Sequence, residues 1–277
     1  MHNRGEHPTR AERRRRPLQG LLATGAATAL ATTAVATSAH ADPAQPQQPR
    51  TVGSATTSAP WAVAITDDAG NQFCGGTLVT PVKVVTAAHC TQDQSTGAAH
   101  PVDSLRAVTG RADLRTGSGE EHEVQRIWTA PGYRSFTQGQ DVAVLTLSSP
   151  APETPLPMVG QSETAPYAPG TAGRLYGWGR TGESEPASPQ LRSVEVPVAA
   201  RSYCQRAYPE VDPRGQFCAG LPQGGKDACA GDSGGPYVVG DRLVGIISYG
   251  TGCGRAGFPG VYTKLSTYAD QVREQLR

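Results

Sequence analysis

The sequence predicts an all-β fold of antiparallel strands, preceded by a removable leader and closed by a helix. Three observations carry that expectation. Short β-type runs recur between Gly, Pro, Ser and Asp punctuation, the rhythm of an antiparallel sandwich or of a pair of barrels. The helical patterns that parallel βαβ units require between strands are missing. All six cysteines, the first being Cys74, follow an export-type N-terminus, which argues for disulfides over metal.

The leader comes first. Arg10–Arg16 (RAERRRR) is basic, Leu18–Ser38 is uncharged and rich in Ala, Thr and Leu, and Ala39-His40-Ala41 is a small-x-small cleavage signal. That order defines a secretory signal peptide over residues 1–41 and an extracellular protein. The alternative is a transmembrane anchor of about 20 residues, but Thr24, Thr28, Thr32, Thr33 and Thr37 make the segment weakly apolar. No thiol lies near the cleavage site for lipidation, and the arginine run leaves a twin-arginine export route open beside the general one. Residues 42–50 (DPAQPQQPR), with three prolines and no apolar periodicity, read as an extended spacer. Beyond residue 50, 18 Lys and Arg stand against 21 Asp and Glu, so the +1 of the whole chain resides mostly in its leader. No basic patch remains to suggest nucleic acid, and the mature form is expected free of the membrane. The remaining 227 residues suffice for one large all-β domain or two small ones.

Within them the β-type runs are Trp61–Thr66 (WAVAIT), Thr77–Val79, Val82–Thr86 (VKVVT), Glu123–Trp128 and Val142–Leu147 (VAVLTL). A strandless, Pro/Gly-bearing stretch from Met158 to Gly173 reads as a link between halves. Arg174–Trp178, Leu191–Val198, Tyr237–Val239 and Arg242–Ser248 (RLVGIIS) follow it. Two segments look helical. One is short, near Ala200–Tyr208. In the other, Leu265, Tyr268, Ala269, Val272 and Leu276 fall on one face of a C-terminal helix. No internal repeat is present at the 20–50-residue scale.

The chemistry lies in three segments. Gly224–Val239 (GGKDACAGDSGGPYVV) surrounds a single serine, Ser233, with glycines and two aspartates. In VVTAAHC a β-run leads to His89, and in QDVAVLTL Asp141 stands at the mouth of an apolar strand. Taken singly, these are turn material, a core histidine and a turn acid. Taken together they meet a chemical need. A serine hydroxyl is a poor nucleophile until a base takes its proton; imidazole has the right pKa, and a buried carboxylate fixes its tautomer and stabilises the imidazolium.

VVTAAHC, DVAVLTL, GDSGGP and SYGTGC…PGVYTK resemble the chymotrypsin-like serine proteases, most closely the trypsins, including the secreted actinobacterial ones. The resemblance covers about Thr51 to Arg277, and TAAHC with GDSGGP is jointly very specific. It implies two antiparallel six-stranded β-barrels with a C-terminal α-helix: barrel one about 51–160, barrel two about 170–264, the helix about 265–277. It implies Ser233 as nucleophile, His89 as general base and then acid, and Asp141 as orienting carboxylate, in the family's chain order. The Ser-acid-His order with a G-x-S-x-G elbow does not fit. It implies an oxyanion hole formed by the N–H groups of Gly231 and Ser233. It implies a contact of Ser248 with Asp141, and Tyr249 stands where the family usually has tryptophan. The resemblance places Asp227 at the base of the pocket for the side chain preceding the cut, with Gly250 and Gly260 as its walls. Ala228 beside it lacks the hydroxyl that serves lysine, so arginine is the expected preference.

The resemblance also pairs Cys74 with Cys90, Cys204 with Cys218, and Cys229 with Cys253, out of fifteen pairings open to six cysteines. It also implies that residues 42–50 are a short propeptide ending at Arg50 and that a freed Thr51 ammonium would pair with Asp232. Thr51 replaces the usual Ile or Val there, and Ser54 a glycine. No cofactor is required. Asp113, Glu120, Glu121 and Glu123 lie close enough in sequence to suggest calcium, against the reading of an exposed acidic loop. Expected partners are protein or peptide substrates and a proteinaceous inhibitor, on a monomer. The rivals are a non-catalytic protease homologue used as a binding module and an exported esterase.

Overall fold

The computed structural model describes residues 53–56, 59–93 and 95–277. The signal peptide, the spacer, Arg50 and Thr51 lie outside the described residues. In chain order the strands begin with β1 (Ser54–Ala55), β2 (Ala62–Asp67), β3 (Gln72–Thr80), β4 (Lys83–Thr86), β5 (Leu105–Thr109), β6 (Glu120–Thr129) and β7 (Ala143–Leu147). There follow β8 (Ala172–Gly177), β9 (Arg192–Pro197), helix α1 (Arg201–Ala207), β10 (Gln216–Ala219), β11 (Pro236–Val239), β12 (Arg242–Tyr249), β13 (Gly260–Lys264) and helix α2 (Leu265–Gln275).

The first unit is a closed antiparallel barrel in the order β2-β3-β4-β7-β6-β5, with β5 returning to β2. Closure leaves no unpaired strand edge. Val63, Ile65, Leu78, Leu105 and Leu145 fill the core and are almost wholly inaccessible. The second unit is a sheet in the order β1-β9-β8-β11-β12-β13-β10. Its far edge comes back on itself just past β9: Val198 bridges Ala219, with Ala199 N–H to Cys218 O at 2.8 Å and Gly220 N–H to Pro197 O at 3.0 Å. Strands β8 to β13 thus make the second six-stranded unit. The seventh strand is β1, grouped with the first barrel by sequence position but paired with β9. The first barrel is already closed and has no edge to offer it. The second unit is packed around aromatic rings: Phe217 stacks on Tyr262 at 5.3 Å and meets Tyr237 edge-on at 5.2 Å. Gly245 lies where a Cβ would come within 2.7 Å of the Phe217 ring, so the close approach itself requires glycine.

The link between the units is a strap bonded to both. Leu156 N–H donates to Leu78 O of β3, while Leu243 of β12 exchanges hydrogen bonds with Pro157 O and Val159 N–H, each at 2.9 Å. Helix α2 buries the expected face, with Leu265, Tyr268, Ala269 and Val272 inside. At the seam, Gly75 N–H of β3 donates to Ser233 O at 2.7 Å, and a Cβ on Gly75 would stand 3.0 Å from Gly235 Cα. The two units therefore meet backbone to backbone at the serine.

Candidate active site

Strand β4 ends in a 3-10 turn, Ala88–Thr91, that carries His89. Asp141 stands just before β7, which pairs with β4, so the ladder that closes the barrel brings the two together. Asp141 is buried, and its carboxylate is fully engaged. Oδ1 accepts the His89 backbone N–H at 2.9 Å, and Oδ2 faces His89 Nδ1 at 2.8 Å. Oδ2 also accepts from Ser248 Oγ at 2.6 Å. From β13, Thr263 Oγ1 donates to the Asp141 carbonyl at 2.8 Å. Burial pushes the Asp141 carboxyl up, but the charge of His89 and the hydrogen bonds from His89 and Ser248 outweigh it and hold the group below its ordinary value.

Ser233 sits in a loop shaped by two left-handed glycines, Gly231 (φ 97°) and Gly234 (φ 79°), a conformation that side chains disfavour. Ala230 O accepts from Arg180 N–H at 2.9 Å. In a trans peptide the N–H points opposite to the C=O, so the Gly231 N–H turns away from Arg180. From the first barrel, Gln72 Nε2 donates to Gly231 O at 2.7 Å and to Cys74 O at 2.9 Å. Behind the loop, Asp232 is buried and meets only neutral donors among the bonds described, Gly179 N–H at 2.8 Å and Cys229 N–H at 2.9 Å. Burial pushes its carboxyl up to about 7.

His89, Ser233 and Gly231 open onto one cleft of about 910 Å³ between the units, which is also lined by Asp227, Ala228, Ser248, Tyr249, Gly250 and Gly260. Asp141 and Asp232 lie behind its walls. Asp227 is 3 % exposed. It accepts Ala228 N–H at 2.8 Å and Gly254 N–H at 3.1 Å, and burial pushes it up to about 7. A Cβ on Gly260 would come within 2.5 Å of Asp227 Oδ1, so any side chain there would cover the carboxylate.

The disulfides are Cys74–Cys90, Cys204–Cys218 and Cys229–Cys253. Cys253 lies on the turn after β12, so the third bond ties the serine loop to that turn. Among the described residues, Asp113, Glu120, Glu121 and Glu123 form no cluster of ligand atoms. Asp113 is held by both ends of the Arg115 guanidinium, Glu121 faces Arg106 at 3.8 Å, and Glu120 faces His122 at 3.8 Å. Sequence reasoning missed Gln72, Thr263, Phe136 and Gln216. Gln72, Phe136 and Gln216 are lone residues in strand or turn context with no motif around them, and Thr263, though inside PGVYTK, shows its bond to the Asp141 carbonyl only in the folded chain.

An acid–imidazole pair on one β unit facing a glycine-framed serine on another is the arrangement of a chymotrypsin-like serine endopeptidase. The trypsin family model matches residues 50–272, and the chain belongs to that family as a trypsin-like serine endopeptidase. It is 43 % identical over 217 residues to a trypsin of Saccharopolyspora erythraea, covering 78 % of this chain and 92 % of that protein. A trypsin of Squalus acanthias is 32 % identical, over 79 % of this chain and 91 % of its own length. Human kallikrein-14 is 36 % identical, over 79 % and 80 %.

Proposed function

We propose that the protein is an exported endopeptidase that cuts after arginine, and less well after lysine, through an acyl-enzyme formed on Ser233. His89 takes the Ser233 proton as the hydroxyl attacks the scissile carbonyl, then gives it to the leaving amine. Asp141 holds the imidazole and stabilises its charged form. The N–H groups of Gly231 and Ser233 receive the oxyanion; one such donor typically contributes about 10²–10³ in rate. Water then attacks the acyl-enzyme by the same route in reverse. No cofactor enters these steps. The substrates are proteins or peptides, a proteinaceous inhibitor is a further partner of the same cleft, and the working unit is a monomer.

The observation that carries the arginine preference is Asp227: a buried carboxylate at the end of a glycine-walled recess, accepting the Ala228 and Gly254 N–H groups with the Tyr262 hydroxyl beside it. Such a group favours a cation that enters and pairs with it. Arginine meets it with a planar two-point contact, whereas lysine brings a point charge on a shorter reach. Asp232 supports activation by cleavage after Arg50. A buried acid pushed by burial up to about 7 is a ready partner for a new ammonium at Thr51.

The test compares the secreted chain with its Ser233→Ala variant on matched Arg, Lys and Phe peptide amides. Hydrolysis is expected to fall by several orders of magnitude in the variant, with Arg the preferred substrate of the parent. A biological effect that survives Ser233→Ala unchanged supports the binding module instead. Cleavage of small esters without peptide amides supports the esterase.

A further inference from the structure

One wall of the cleft is built by a ring from the first barrel. Phe136 lies on the 3-10 turn Phe136–Gln138 shortly before Asp141. Its centroid is 6.0 Å from that of His89 and 5.5 Å from that of Tyr249. The turn runs on into two left-handed residues, Gly139 (φ 84°) and Gln140 (φ 55°). Glycine adopts that backbone freely and glutamine does not, so the segment keeps its shape only where its surroundings hold it.

The holding groups belong to the second unit. Gln216 opens β10 and is 2 % exposed. Its Nε2 donates to the Phe136 carbonyl at 3.1 Å, and its Oε1 accepts Asp212 N–H at 3.1 Å. Turning the carboxamide over breaks both bonds. On α2, Tyr268 Oη accepts Gln140 N–H at 3.3 Å. With both ends of Gln216 engaged, the buried Tyr249 hydroxyl beside it is left outside good hydrogen-bond geometry. A buried carboxamide is tolerated when its hydrogen bonds are made, and it then fixes one arrangement of the groups around it.

We propose that Gln216 is a positioning residue for substrate selection. By fixing the Phe136 carbonyl, it holds the phenyl ring between His89 and Tyr249 and narrows the recess for the residue immediately before the cleaved arginine. This inference rests on the arginine-directed reading of the cleft. In an extended substrate, successive side chains point to opposite sides. With arginine in the Asp227 pocket, its N-terminal neighbour therefore faces the wall made by His89, Phe136 and Tyr249. A pinned ring there admits glycine or alanine and collides with a large side chain.

The test uses the processed enzyme and its Gln216→Met and Phe136→Ala variants. Methionine keeps the length and volume of glutamine but makes neither hydrogen bond. Arginyl amides that differ only in the preceding residue (Gly, Ala, Leu or Phe) are read as separate kcat and KM values. The parent is expected to favour Gly and Ala over Phe by roughly tenfold. Gln216→Met narrows that ratio by about threefold or more, the share of one hydrogen bond, mainly by lowering KM for the Phe amide. Phe136→Ala narrows it at least as far. A fall that is uniform across the series overturns the proposal and leaves Gln216 a folding residue only.

A second readout is independent of rates. With para-fluorophenylalanine at the four phenylalanines, the fluorine resonance that Phe136→Ala deletes is a single line in the parent. It splits or broadens in Gln216→Met. An unchanged resonance overturns the proposal even in an enzyme that cuts after arginine. The expected resonance response in an enzyme without arginine preference sinks the arginine reading and leaves the positioning of Phe136 standing.

Discussion

Among single residues, Ala228 bears on the choice between arginine and lysine. It lies beside Asp227 in the cleft and has no hydroxyl. A serine there adds one hydrogen bond to a lysine ammonium, a contribution of about 0.5–1.5 kcal/mol. Ala228→Ser is therefore expected to shrink the Arg-over-Lys ratio in kcat/KM by roughly 3- to 10-fold, as measured on matched amides. An unchanged ratio means that lysine reaches Asp227 by another route. At this scale the sequence was most legible where residues sat inside a motif. His89, Asp141, Ser233, Asp227 and Ser248 come together, with Ser248 Oγ 2.6 Å from Asp141 Oδ2 as the resemblance implied. Gln72 and Gln216 were not legible. A glutamine in a strand has the look of a surface position, and only the folded partner of each, Gly231 O or Phe136 O, gives it a role.

Among elements, strands with a long apolar run or clear alternation were readable, such as β7 and β12, and so was α2 from its single apolar face. β10 (QFCA) and β5 (LRAVT) were not. Both are short, and every residue of β10 is buried, so no alternation marks it. β6 begins earlier than its apolar signal, because Glu120 and Glu121 extend it as exposed, charged positions. The loop after β8 carries a sharper constraint. A Cβ on Gly179 would lie 2.5 Å from Asp232 Cγ, while the Gly179 N–H holds that carboxylate. Gly179→Ala is expected to destabilise the fold by about 1–3 kcal/mol, as overpacking does, and to lower kcat by displacing the serine loop. Thermal melts and single-turnover rates check both effects. Normal values for both would show that Asp232 has room to move.

For the whole molecule, two of the buried acids, Asp227 and Asp232, set a pH dependence opposite in sign to that of Asp141. Asp227 and Asp232 are both pushed by burial from 3.8 to about 7. An acid that holds its proton longer when folded contributes stability at low pH, and that contribution is lost as pH rises toward 7. A Thr51 ammonium would favour ionised Asp232 and offset its part of the loss. Chain cleaved after Arg50 is thus expected to melt higher than an Arg50→Gln chain at pH 6–7. The difference should fade as pH falls through the lowered pKa of the ion-paired Asp232, below which the carboxyl is protonated in both chains. Equal melting temperatures across that range would remove the ammonium from the Asp232 site.

The strap between the units has a consequence for protein engineering. His89 and Asp141 precede it in the chain and Ser233 follows it, so neither fragment made by cutting it holds a full set of reacting groups. Its backbone is sewn to Leu78 on one side and Leu243 on the other, so the fragments carry matched edges for reassembly. Two such pieces, each fused to one member of a binding pair, form a proximity sensor. Turnover of an arginyl dye then reports the encounter, and its onset follows the product of the two fragment concentrations.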